Sequence, residues 1–151
     1  MVPGPVGKHL DANAIHKSNH KADRKTLAAL LELCSGPMGF VRDRNFAGWS
    51  FDPRKLEGLE RFILRKGAEY EFVDLDLERL RKAFNESSRK TLGLLATNTF
   101  PVGDTERQSV PEDWEIEQPE RLQKAVSEVH QACDVLSYDQ LVRTARRKLL
   151  A

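Results

Sequence analysis

The stretch Asp76–Thr99, DLERLRKAFNESSRKTLGLLATNT, constrains this chain more than any other. Leu77, Leu80, Phe84, Ser87, Thr91, Leu94 and Asn98 recur at alternating spacings of three and four, which aligns them along one side of a helix. Arg79, Lys82, Glu86 and Arg89 fall on the other side, where water solvates them. At ~1.5 Å per residue such a helix spans on the order of 35 Å, about the width of a small domain. It is long enough to serve as a spine for shorter helices. Gly93 within it costs up to ~1 kcal/mol relative to alanine, and close packing of a second helix is the expected compensation.

The flanking segments carry their own helix signals. Leu27, Leu30, Leu31 and Cys34 form a stripe after Asp23, and Gly36-Pro37 is read as its stop. Asp52 caps a second helix with Pro53 in its first turn and Phe51 placed to staple on Leu56; Leu56, Leu59, Phe62 and Ile63 point inward, and Gly67 ends it. Ala68–Leu75 alternates Tyr70 and Phe72 with acids and reads as an extended lead-in, with Asp74 or Asp76 capping the spine. Phe100-Pro101 closes the spine, and Val102–Glu117 reads as irregular. Pro119 opens a helix carrying Leu122, Val126, Val129, Cys133 and Leu136 on one side. Its phase slips near Ser137, where Ser137 and Gln140 match a capping box. Tyr138, Leu141, Val142, Ala145 and Leu149 then form a new stripe.

The expected fold is therefore all-α: a compact bundle of four to five helices, mainly antiparallel, around a long central helix at about 76–99. An α+β alternative pairs Tyr70–Val73 with residues 38–51. Residues 1–18, with two prolines and two glycines, are expected to be a flexible segment, and 19–151 a single helical domain. If a helix begins near Leu10, Ala14 and Ile15 are the residues that would face the body.

Composition narrows the functional classes. With 24 basic and 23 acidic side chains the net charge is +1, so attraction to nucleic acid or an acidic membrane has to come from a local patch. No run approaches the ~20 apolar residues of a membrane span, and MVPGPVGKHL lacks the apolar core of a signal peptide. Two cysteines, Cys34 and Cys133, both on apolar helix faces, do not make a secreted disulfide framework, and a cytoplasmic location is expected.

No set of residues reads as a catalytic constellation. His16, His20 and Asp23 have helical spacing for one face, but no further ligand follows; His130 and Cys133 form a second pair of the same kind. Neither is assigned a metal, and no cofactor is expected. Ser87 and Ser88 lie mid-helix without a glycine elbow, and Gly36–Gly39 lacks the lysine and hydroxyl of a phosphate loop. Trp49, Phe51 and Trp114 sit in connections: exposed, they would anchor a partner protein; buried, they would pin loops to the bundle ends. Arg143, Arg146, Arg147 and Lys148 form a basic last turn, which fits either a nucleic-acid contact or the ordinary complement of a helix dipole. The leading expectation is a non-catalytic protein–protein interaction or regulatory module. Nucleic-acid binding through the C-terminal helix comes second, and a metal-dependent enzyme at His16 and His20 third.

Overall fold

The computed structural model describes residues 4–43, 51–103, 105, 107–109, 117–134 and 136–150. Trp49 and Trp114 lie outside the described residues. Among those described, five α-helices carry the fold: α1 (Gly4–Asp43), α2 (Glu57–Leu64), α3 (Leu75–Asn98), α4 (Pro119–Asp134) and α5 (Tyr138–Leu149). Short 3-10 turns at Pro53–Leu56 and Ala68–Tyr70 lead into α2 and follow it. The protein is an all-α bundle with a small hairpin. No helix among the described residues is long and apolar enough to cross a membrane.

α1, α2, α3 and α5 form a ring in which each helix packs on the next, and α4 lies on the outer part of α3. Neighbours around the ring are antiparallel. Gly58, early in α2, meets Leu33 and Pro37 of α1, whereas Phe62 and Arg65 lie lower down, beside Thr26 and Leu30. The rings of Phe62 and Phe84, 4.9 Å apart, join α2 to α3, and those of Phe84 and Tyr138, 5.4 Å apart, join α3 to α5. One core cluster therefore gathers Leu27, Leu30, Cys34, Leu59, Leu77 and Leu141 around Phe84. A second, at the far end, holds Val41, Phe51, Leu56, Leu95 and Val129.

The spine presents a slightly rotated face. Its buried line is Leu77, Arg81, Phe84, Ser88, Thr91 and Leu95, while Leu80, Ser87, Leu94 and Asn98 are only half-buried. Leu77, Phe84 and Thr91 belong to both lines; the other positions shift by one because two partners, α2 and α5, flank the helix. Thr91 Oγ1 donates to Ser87 O (2.9 Å) and lies 3.1 Å from Ala132 O, so the hydroxyl marks a close contact with α4.

Three local expectations are overturned. α1 does not stop at Gly36-Pro37 but runs to Asp43, with Pro37 buried inside it. A proline mid-helix removes the bond to the carbonyl four residues back, a penalty of ~3 kcal/mol. Gly36 relieves part of it, since it brings no Cβ against the proline ring, and the stripe continuing through Met38 and Val41 supplies compensating burial. The freed carbonyl of Leu33 faces Gly58, where any Cβ would collide with the Leu33 oxygen. At Gly93, by contrast, a Cβ would meet nothing within 4 Å among the described residues, so no close helix contact among them explains this glycine. Ser137 precedes α5 but makes no side-chain cap bond, and its Oγ is buried without a partner among the described residues, so the capping box does not form.

The α+β alternative is also corrected. Tyr70 ends a 3-10 turn and Phe72 is buried without strand pairing. The described strands lie instead at Phe100–Pro101 (β1) and Gln108–Ser109 (β2), the second within the segment read as irregular, with Phe100 opposite Ser109. Phe51 bridges to Gln108 through two backbone hydrogen bonds of 2.8 Å. At the other end, α1 begins at Gly4, so the segment expected to be flexible continues the helix. Residues 12–18 are exposed throughout, and Ile15 at 58% exposure does not face the body.

The two glycines make a matched test. Gly58→Ala forces a methyl group into the α1 backbone and is expected to cost at least ~1–3 kcal/mol, the usual range for overpacking. Gly93→Ala adds a methyl group in open space and removes chain entropy from the unfolded state, so it should stabilise by ~0.4–1 kcal/mol. Chemical denaturation of both variants beside the parent reads the signs; a neutral Gly58→Ala would show that α2 does not sit on the α1 backbone.

Candidate functional site

Those of the expected site residues that are described do not converge. Phe51 is 2% exposed, locked between Val41, Leu56 and Leu95, and so pins the loop to the bundle end and presents no ring to a partner. The rings of His16 and His20 lie 5.0 Å apart and tilted. Asp23, the third member of that set, is buried, and its carboxylate accepts from Val73 N–H (2.6 Å) and Asp74 N–H (3.0 Å). Both oxygens are thereby committed to closing the start of α3. Among the described residues no group of three or more His, Cys, Asp or Glu side chains is placed to hold a metal ion. Cys34 and Cys133 form no disulfide. Burial pushes the Cys34 thiol up to about 12, against the opposing charge of Arg65, so it is a protonated core residue at neutral pH.

The basic last turn is divided. Lys148 Nζ contacts Asp74 (3.1 Å) and Asp76 (3.0 Å), joining the end of α5 to the start of α3. Hydrogen bonds to Asp76 and Asp74 hold the ammonium above its usual range. Arg143, Arg146 and Arg147 stay exposed and make no ion pair among the described residues.

A mainly apolar concavity lies elsewhere, between α1, α2 and the turn Ala68–Tyr70. It measures ≈ 330 Å³. Ala22, Thr26 and Ala29 recur at spacings of four and three on α1, and their short side chains leave a hollow opposite the turn. Leu30, Leu33 and Phe62 floor it; Tyr70 and Val73 form the far wall. Gly67, at φ 120°, reverses the chain between α2 and that wall, a conformation L side chains rarely adopt. Arg65 lays its guanidinium over the Tyr70 ring at 5.0 Å and stiffens the rim. The signal for this cleft in the sequence was the small-residue row 22–26–29, which runs beside the leucine stripe and was hidden by it.

Beneath the cleft lies a buried ion pair that the helical periodicity concealed. Arg81 donates to both oxygens of Glu78, at 2.6 Å and 2.8 Å, and the Phe72 N–H adds a third bond to Glu78 at 3.1 Å. Burial opposes the Glu78 charge more than any single contact favours it. The bonds from Arg81 and Phe72, with the charges of Arg81 and Lys82, together outweigh burial and hold the carboxyl below its ordinary value. The same balance, with Leu77 N–H and Lys148 as partners, lowers Asp74. Arg81 reaches from this pair into the cleft wall.

Comparison with known proteins returns no match: no family model, no curated protein and no solved structure is significantly similar to this chain. The class defined by the fold and the cleft is thus a helical bundle with an apolar side cleft.

Two outcomes follow from the ion pair. Glu78→Gln leaves the Arg81 charge buried and half-paired, and should cost ~3–5 kcal/mol; Glu78→Gln with Arg81→Met should recover much of that loss. A double variant no more stable than the single one would show that the pair is not the unit. Glu78 and Asp74 also contribute to the acid response. Their folded pKa values lie below the ordinary 4.5 and 3.8, so their stabilisation is complete above about pH 4.5 and is lost as the pH falls through the folded values. Denaturant midpoints measured down from neutral pH should hold steady and then fall below about pH 4.5, less steeply in the double variant.

Proposed function

We propose that this protein is a non-catalytic interaction module whose binding surface is the cleft between α1 and the Ala68–Tyr70 turn. One observation carries the reading: a cleft of ≈ 330 Å³ with a mainly apolar lining, whose one buried charged group, Arg81, is already paired with Glu78. Ligand-binding clefts usually begin at about 300 Å³ and combine an apolar lining with a few polar groups. A single aromatic or branched aliphatic side chain of a partner protein fills a space of that kind, and such buried anchors dominate interface energetics. The charged groups that line it are Lys25, Arg65, Glu69, Glu71 and Arg81, the last held by Glu78.

The second reading, nucleic-acid binding through α5, rests on the exposure of Arg143, Arg146 and Arg147. It is the weaker of the two because Lys148 is committed to Asp74 and Asp76, which shortens the patch to three cations.

The test is a blocked cleft. Ala29→Trp points a large side chain into the hollow from a helix position outside both core clusters. Affinity capture from the native host, with the parent and the Ala29→Trp protein as parallel baits, should yield a partner that the variant loses by at least about tenfold, or ~1.4 kcal/mol. Equal capture by both baits would remove the cleft from the function. An Arg143→Gln/Arg146→Gln/Arg147→Gln bait should retain the partner.

A further inference from the structure

A second hollow adjoins the apolar cleft and has the opposite character. It measures ≈ 380 Å³ and lies between the end of α2 and the outer face of α3. Arg65, Lys66, Arg81, Lys82 and Arg89 line it against the single carboxylate of Glu71. That is a concentrated positive field in a chain whose net charge is only +1. Two of the five cations are committed. Arg81 is bound by Glu78, and Arg89 bonds Ile63 O at 2.5 Å and Asn85 at 3.0 Å, closing the end of α2. Lys66 and Lys82 are exposed and form no ion pair among the described residues.

The two hollows share Arg65, Glu71 and Arg81 as lining and so adjoin. At the apolar end Lys25 and Arg65 offset Glu69 and Glu71. With Arg81 held by Glu78, the excess positive charge lies toward the other end, at Lys66, Lys82 and Arg89. A ligand that satisfies both ends has to be amphipathic, apolar at one side and anionic at the other.

We infer that the partner is an acidic protein segment that seats one apolar side chain in the cleft and lays its carboxylates over Lys66 and Lys82. The inference rests on the cleft reading above and names the chemistry of its occupant. A nucleic acid fits less well. Single strands gain affinity by stacking bases on open aromatic faces, and here Arg65 already covers the Tyr70 ring while Phe62 is buried in the core. A free inorganic anion would use only the cationic half.

The experiment is a titration followed by amide chemical shifts. The probes are acetyl-Trp-Asp-Glu-Asp-Glu-amide, its uncharged counterpart acetyl-Trp-Asn-Gln-Asn-Gln-amide, and a short single-stranded oligonucleotide. The charged peptide should shift the amides of Phe62, Tyr70, Lys66 and Lys82 and bind about tenfold more tightly than the uncharged one at low salt, an advantage that shrinks once the screening length falls to ~10 Å near 0.1 M. Lys66→Gln/Lys82→Gln, both at exposed positions, should abolish the difference and leave the uncharged peptide unchanged. Equal affinity for the two peptides, with shifts lost in Ala29→Trp, would overturn the acidic-partner inference and leave the cleft reading standing. No shift at Phe62 and Tyr70 with either peptide would overturn both. Oligonucleotide binding at Lys66 and Lys82, with the peptides silent, would reassign the cationic hollow to phosphate.

Discussion

The arrangement of this bundle depends on the carboxylate of Asp23. It sits in the middle of α1, buried, and accepts both backbone N–H groups at Val73 and Asp74. These two donors immediately precede α3, where the chain leaves the Ala68–Tyr70 turn and has no helical partner for them. Asp74 in turn caps Leu77 N–H at 3.0 Å and receives Lys148 from α5. Three helices that are far apart in sequence are thereby tied within a few residues of one another. Both bonds to Asp23 are part-buried, and a shielded amide left without an acceptor costs up to ~1–3 kcal/mol, so the junction favours the register in which α1, α3 and α5 meet here.

A second constraint acts in the later half of α1. Pro37 would end a helix in isolation, and here it exposes the Leu33 carbonyl to the α2 backbone at Gly58. The lack of a Cβ at Gly58 lets α2 approach more closely than any other residue would permit. Because α2 is only eight residues long, its position relative to α1 is decided largely at this contact. The placement has a consequence for the surface. Once Gly58 fixes the upper end of α2, its lower end has to turn back at Gly67, which raises the wall of Tyr70 and Val73 opposite the small side chains of Ala22, Thr26 and Ala29. The cleft is what remains between them.

The Glu78–Arg81 pair links the bundle interior to that surface. Charged side chains are seldom buried to this degree unless paired and further hydrogen-bonded, and the Phe72 N–H supplies the extra bond. The pair occupies positions on the α3 line where a leucine-rich helix would carry apolar side chains, and it orients Arg81 toward both hollows. Packing, the return of the chain through the turn and the electrostatic character of the surface are thus coupled through one helix.

The sequence alone was enough to establish the helices as elements. The stripes on α2 and α5, the long period of α3, and the proline and glycine punctuation at Asp52–Pro53 and Gly67 are local patterns whose physics is complete within a few residues. The all-α class follows from them. What the tertiary structure decided were the features that need two distant segments. Pro37 remains helical because Met38 packs into the core around Phe84 and Val41 into the one shared with Phe51, Leu95 and Val129. Asp23, grouped with His16 and His20 by spacing, belongs instead with the α3 start, because the N–H groups it accepts come from some fifty residues away. Lys148, one of four cations in a basic turn, is drawn out of that set by Asp74 and Asp76. The cleft was the least legible of all. A concavity is defined by side chains that do not touch, and no periodicity along one helix records the distance to the wall facing it.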